Sequence, residues 1–251
     1  MNSDKYLLFA GENNEPEIFH TIEGEGEFIG QPSVFLRMFG CNLRCPGFIS
    51  EDSPNGCDSF ISWSVKNKVS FEDTLQLLED KEYARHLKNG AILKYTGGEP
   101  FLRQGKLLEF TEAFIERFGF TPRIDFETNA TFEPHADWVN KYSATFTTSP
   151  KLANNGEPEE KRYKPDVLKW HQEHGSGFKF VVSQSEDLDE IWKKYVEPFE
   201  ISRDRIWLMP CCGSRKEHIE NAEAVAEYAK QLGVNFSPRL HLLLWDKALR
   251  V

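Results

Sequence analysis

What this sequence lacks narrows it first. No apolar run approaches the roughly 18 residues that a membrane-spanning helix needs. The opening residues, Met1 to Lys5, lead into no charged-then-apolar leader, so no signal peptide is expected. Basic residues do not prevail: 30 Lys and Arg stand against 40 Asp and Glu, a net charge of −10, which is not the electrostatic footprint of a nucleic-acid-binding module. The five cysteines are too few and odd in number for a fully paired disulfide framework. Linkers rich in Gly, Ser or Pro and repeats of fixed length are missing as well. These absences lead to one domain over residues 1–251, in the cytoplasm, with neither nucleic acid nor membrane as partner. In that reducing compartment cysteines serve as ligands, nucleophiles or core residues.

What is present is a chain of 251 residues, 39% hydrophobic and 28% charged, long enough for one sizeable core. From about residue 33 onward strand-like and helix-like segments alternate. Strands are predicted over residues 33–39, 91–95, 123–127, 144–148, 177–182 and 205–209, with 240–245 as a possible closing strand. Helices are predicted over 71–88, capped by Ser70 with Asp73 in the first turn, and over 106–118, 185–197 and 216–232. Residues 152–164 read as a polar surface loop. Such alternation favours parallel β/α units. Six or so units are too few for a closed eight-unit barrel, so the expected fold is α/β, a partial, open β/α barrel of about six parallel strands.

Chemistry concentrates between residues 41 and 59, where cysteines are spaced C-x3-C-x11-C. Cys41 lies just past the first predicted parallel strand, at the end of the sheet where such folds bind ligands. Soft thiolates select iron–sulfur clusters, Zn or Cu(I). Three of them can hold three irons of a four-iron cube and leave the fourth open. A structural Zn site wants four ligands, and neither a second short pair nor a nearby His supplies one; chance clustering of core cysteines is the blander alternative. Cys211 and Cys212 are adjacent, a poor chelate, and read as strand-end core residues.

The surroundings of the cysteines resemble a known family. Residues 19–45, FHTIEGEGEFIGQPSVFLRMFGCNLRC, are similar to the start of the 7-carboxy-7-deazaguanine synthases, a radical S-adenosylmethionine family. CDSFISW at 57–63, TGGEP at 96–100, ETNA at 127–130, TSPK at 148–151, KFVV at 179–182, MP at 209–210 and RLHLLLW at 239–245 follow in the family's order. TGGEP supports only the superfamily; TIEGEG with CNLRC and the closing His-containing block are more specific. The resemblance implies a lyase that converts 6-carboxy-5,6,7,8-tetrahydropterin to 7-carboxy-7-deazaguanine with loss of ammonia. It also implies a [4Fe–4S] cluster, S-adenosylmethionine and Mg2+, a partial barrel, a homodimer, and an external flavodoxin-like or ferredoxin-like electron donor.

Carried over by position, the resemblance makes Cys41, Cys45 and Cys57 the cluster ligands. Gly97, Gly98, Glu99, Glu127 and Ser149 meet S-adenosylmethionine, and Glu23, Glu25, Arg37, Asp58, Thr96 and His241 meet the pterin. Ser59 stands where the family commonly has Thr as a ligand of Mg2+, an ion that takes hard oxygen donors. Asn129 and Lys151 are weaker candidates. The residue types suit these tasks: a carboxylate accepts from two hydroxyls or from an amino-and-ring-nitrogen edge, and the Arg37 fork matches a carboxylate. Three departures stand out. The usual cysteine spacing is C-x3-C-x2-C, so the third ligand shifts to Cys57 across a polar insertion; Glu23 replaces a frequent Gln; and Leu242 replaces a frequent Lys. A radical activase or other radical enzyme on this scaffold, and a non-catalytic Zn or Fe–S module, remain open on the sequence.

Overall fold

The computed structural model describes residues 5–11, 15–51, 54–57, 59, 65–248 and 250. In chain order the elements are β1 (Tyr6–Ala10), β2 (Ile18–Ile22), β3 (Pro32–Met38), β4 (Lys66–Ser70), α1 (Phe71–Asp80), α2 (Tyr83–Lys88) and β5 (Ile92–Gly97). They continue as α3 (Gln104–Phe118), β6 (Arg123–Thr128), α4 (Ala136–Asn140), β7 (Thr145–Thr148), α5 (Pro165–Glu173), β8 (Gly177–Val182) and α6 (Glu186–Glu190). The chain closes with β9 (Ile206–Pro210), α7 (Arg215–Leu232), β10 (Asn235–Phe236) and α8 (Leu240–Trp245). The strands form one sheet in the order β10-β9-β8-β7-β6-β5-β3-β1-β4, with β2 paired to β3. From β3 through β10 every pairing is parallel. The antiparallel end built from β1, β2 and β4 precedes or interrupts the alternation visible in the sequence.

The two faces of the parallel sheet differ in chemistry because side chains alternate along a strand. One face carries Leu36, Leu93, Tyr95, Phe126 and Phe146, which pack with Leu107, Phe110 and Phe114 of α3 and with Trp138 of α4. Further along, Phe178, Phe180 and Leu208 pack on Val225 and Ala229 of α7. The intervening positions are polar: Lys94 and Thr96 on β5, Asp125 and Glu127 on β6, Thr145 and Thr147 on β7, and Lys179 on β8. Register sets them side by side, Lys94 beside Asp125 beside Thr145, and Glu127 beside Thr147. Lys94 is wholly buried and donates to Asp125 Oδ2 at 2.7 Å; Thr145 and Thr147 donate to the two oxygens of the same carboxylate. An unpaired ion here would be costly, and these partners are what make the polar face possible.

Several sequence expectations are corrected. The single helix predicted over 71–88 is two, broken where Glu82 takes a left-handed φ of 58°. Leu78 and Leu87 both enter the same core; nine residues apart on one helix they would face about 180° away from each other. Ser70 caps α1 as expected, accepting from Asp73 N–H at 3.0 Å. Residues 240–245 form a helix, not a closing strand, because β10 already takes the edge beside β9 and a short apolar run has no decisive period. Residues 152–164 are more than a surface loop. They contain a tight turn (Ala153–Asn155) and a helical turn (Glu159–Arg162), with Arg162 buried against Glu190 at 2.7 Å.

The segment between β2 and β3 crosses the polar face. Gly26 N–H donates to Ser237 Oγ at 2.8 Å, and Leu240 N–H to Gly24 O at 2.9 Å, so the segment after β2 meets the segment after β10 beside β8 and β9. Gly24 is required by close approach: a Cβ there would sit 2.2 Å from His241 Nδ1.

Candidate active site

A cavity of about 830 Å³ opens at the C-terminal ends of the parallel strands. Its lining includes Cys41, Cys45 and Cys57, the end of β5 and Glu127, and Glu25, Lys179, Arg239 and His241. Cys41 follows β3 across Phe39 and Gly40. Its position is tied to the end of β5 by Gly98 N–H to Met38 O at 3.1 Å and Glu99 N–H to Gly40 O at 2.8 Å. Cys45 is buried at a left-handed φ of 51°. Burial pushes the Cys41 thiol up to about 11, against the pull of the Leu43 N–H on its sulfur. A thiol in that state is inert as a nucleophile.

The donor set fits a thiolate-bound cluster. Three cysteines line one cavity, and N–H groups already point at two of the sulfurs. Cys41 Sγ receives Leu43 N–H at 3.4 Å and the Asn129 amide at 3.9 Å; Cys45 Sγ receives the Asn155 amide at 3.6 Å. Among the described residues no three His, Cys, Asp or Glu side chains form a site for a metal ion. Ser59 lines the cavity, while Asp58 lies outside the described residues.

The same cavity is lined by a chain of ion pairs. Lys179 Nζ lies 2.5 Å from Glu25 Oε2 and 3.3 Å from Glu127 Oε1. Arg239 Nε reaches Glu25 Oε1 at 2.8 Å, and His241 Nε2 stands 4.0 Å from the same oxygen. Thr96 donates to Glu127 Oε2 at 2.8 Å. Burial alone would push both carboxyls up. Lys179 and Arg239 instead hold Glu25 well below the carboxylate range, and Lys179 and Lys94 hold Glu127 at about 2. Both are therefore ionised acceptors at neutral pH. Arg37 borders the cavity with Nε 2.9 Å from Glu17 and its guanidinium over the Phe19 ring. Ser149 accepts from Lys151 Nζ at 2.9 Å, and Gly97 and Gly98 line the cavity beside them.

Two of the expected ligand residues have their carboxylates engaged by protein partners: Glu23, which lines the cavity, and Glu99. Glu23 accepts from Gly24 N–H and Glu25 N–H with one oxygen and meets buried Lys94 at 2.6 Å with the other. It thereby shapes the loop that presents Glu25. Glu99 is buried and accepts from Phe101 N–H, the Thr128 hydroxyl and Asn129 N–H. Burial pushes its carboxyl up to about 7 despite these donors. A raised acid favours the folded state below its unfolded value, near 4.5, and that contribution is lost as pH rises toward 7. Chemical unfolding of wild type and Glu99→Gln from pH 4.5 to 7 is expected to show wild type losing on the order of 3 kcal/mol relative to the variant. Parallel curves would show that Glu99 does not titrate there.

Cys212 is buried with Sγ 3.5 Å from Pro210 O, and both Cys211 and Cys212, at the end of β9, border the cavity. No family model matches the chain. Curated proteins do: a 7-carboxy-7-deazaguanine synthase from Pyrobaculum aerophilum is 30% identical over 234 residues, covering 92% of this chain and 94% of its own. One from Hyperthermus butylicus is 32% identical over 234 residues, covering 91% of each. The chain belongs to the 7-carboxy-7-deazaguanine synthase family. The crystal structure of QueE from Escherichia coli shares the fold, with a TM-score of 0.59 at 22% identity over 92% of this chain and 93% of that one.

Two residues of this family member escaped the sequence reading, Lys179 and Arg239. Both fall in blocks that carried the resemblance, yet neither was singled out. A physical signal existed for Lys179: it is the lone charge in GFKFVV, between Phe178 and Phe180 on a parallel strand that should be buried on both faces. Lys94 in AILKYTG carries the same signal, and Asp125 stands likewise between apolar Ile124 and Phe126. Arg239 has none, since only folding brings residues 25 and 239 together.

Proposed function

We propose that the chain converts 6-carboxy-5,6,7,8-tetrahydropterin to 7-carboxy-7-deazaguanine with release of ammonia, as a radical S-adenosylmethionine lyase. One observation carries this reading: three cysteines and a set of ion-paired carboxylates share one cavity at the C-terminal ends of the parallel strands. Cys41, Cys45 and Cys57 would hold the [4Fe–4S] cluster, which when bound supplies the electron for reductive cleavage of S-adenosylmethionine.

The chain's own residues bind and orient. Glu127 spends one acceptor site on Thr96 and one on Lys179; of roughly four lone-pair sites, two remain for the ribose diol of S-adenosylmethionine. Gly97 and Gly98 present backbone groups to its amino end, and Ser149 flanks it. Glu25 likewise keeps acceptor sites for the donor edge of the pterin, with its ionisation secured by Lys179 and Arg239. Arg37, oriented by Glu17, takes the substrate carboxylate. Thr96 and His241 complete the pterin site, and Asp58 and Ser59 serve the substrate and its Mg2+. Glu23 and Glu99, whose carboxylates are engaged by protein donors, act as positioning groups.

The remaining parts of the reading are an open β/α barrel in one domain, a homodimer, cytoplasmic residence and a flavodoxin-like or ferredoxin-like electron donor. No helix among the described residues is long and apolar enough to cross a membrane. Anaerobic reconstitution tests the proposal. About four irons per chain and formation of 7-carboxy-7-deazaguanine from the pterin are expected. Absence of the brown cluster would sink the scheme; a cluster without product would sink the substrate alone.

A further inference from the structure

The turn Ala153–Asn155 packs onto the cysteine loop. Gly47 has no room for a side chain: a Cβ would lie 2.0 Å from Asn154 O and 2.7 Å from Asn155 C. Arg44 N–H donates to Glu157 Oε1 at 2.6 Å. Between these ties Asn155, fully buried, donates its amide to Cys45 Sγ at 3.6 Å and accepts Glu157 N–H on Oδ1 at 2.9 Å. The turn is anchored from behind as well. Ala153 N–H reaches Glu190 at 2.7 Å, and the Asn154 amide reaches Val181 O at 2.9 Å and Asp187 at 2.8 Å. The amide that meets Cys45 is thus held by β8 and α6, independently of the cysteine loop.

We propose that Asn155 is a positioning residue for Cys45 that makes the cluster bound there easier to reduce; this rests on Cys45 being a cluster ligand. One electron from the external donor adds negative charge, part of it on the ligand sulfurs. An N–H donor stabilises that charge more in the reduced than in the oxidised state, and does so strongly where water is excluded. The same contact secures Cys45 in its left-handed conformation, which costs energy for a non-glycine residue.

Asn155→Asp is the discriminating variant. It keeps an oxygen for Glu157 N–H and replaces the donor to sulfur by an acceptor. The full chain is reconstituted anaerobically, and iron content and midpoint potential are read by a dye-mediated titration followed by electron paramagnetic resonance. The expected result is native circular dichroism with the reduction equilibrium shifted up to about tenfold toward the oxidised cluster, about 59 mV for one electron. A folded variant that binds no iron supports the positioning role. Asn155→Ser, which also lacks the amide, reads the same potential if the Asp variant does not fold. Wild-type potential and wild-type iron content in the folded variants overturn the proposal. A wild type without a cluster would instead remove Cys45 as ligand, so the two failures are distinct.

Discussion

Cys57→Ala is expected to leave the chain folded and to abolish both the cluster and product formation. Cys57 is half-buried, and its backbone hydrogen bond is the local one from its N–H to Asn55 O at 3.1 Å. Truncating it should cost about 1 kcal/mol or less of stability. As a ligand it is indispensable, because a cluster held by three thiolates has none to spare. The outcome is decisive for register. Cys57 follows Cys45 at twelve residues, not the three of the usual spacing, and both border the same cavity. The measurement is iron and sulfide per chain after anaerobic reconstitution, with the 5′-deoxyadenosine yield beside it. Wild-type iron and activity in this variant would mean that a different residue closes the site.

Lys179→Met is expected to cost about 3–5 kcal/mol of stability, the range for breaking a buried ion pair by removing one partner. Its side chain is buried, and its ammonium stands between Glu25 and Glu127, which hold its proton firmly. Without it Glu25 retains Arg239, and Glu127 retains the Thr96 hydroxyl. The two carboxylates then repel across the space they shared. In the proposed reading one serves the pterin and the other the ribose, so both sites loosen together. A fall in kcat/KM on the order of a hundredfold is expected, the scale of an ångström-sized misplacement, with KM rising for both ligands. The pH dependence follows in sign. With Lys179 present, Glu127 titrates near 2, so its stabilising contribution is complete above about pH 4.5 and is lost as pH falls toward 2. The variant should show a flatter acid limb in chemical unfolding. Wild-type stability with a change confined to one ligand's KM would show that Lys179 does not couple the two sites.

Legibility in the sequence differed by residue. Strand β8 was read at its observed bounds, residues 177–182, because its aromatic and β-branched residues follow a glycine-bearing turn. The cysteines were legible by residue type, and Cys57 only through the block that follows it. Lys94, Asp125 and Lys179 were visible as charges in strands yet mute about partners, since each partner lies on another strand or beyond. Residues 240–245 misled because Leu repeats carry no period.

The sequence by itself determined that parallel β/α units would carry three cysteines past the first parallel strand, whereas a place for TIEGEG at the same site was implied only by the family resemblance. Those features are local: periodicity, turn chemistry and residue type within a few positions. Only the tertiary structure decided which carboxylates face the cavity. Glu25 and Glu127 border it, pinned by Lys179 and Arg239; Glu23 borders it with its carboxylate claimed by buried Lys94 and backbone N–H groups, and Glu99 is buried outside its lining. It also decided that Asn155, 110 residues from Cys45, donates to that sulfur. Burial and partner choice arise only when distant strands align, and on them depends whether a carboxylate is a ligand or a brace.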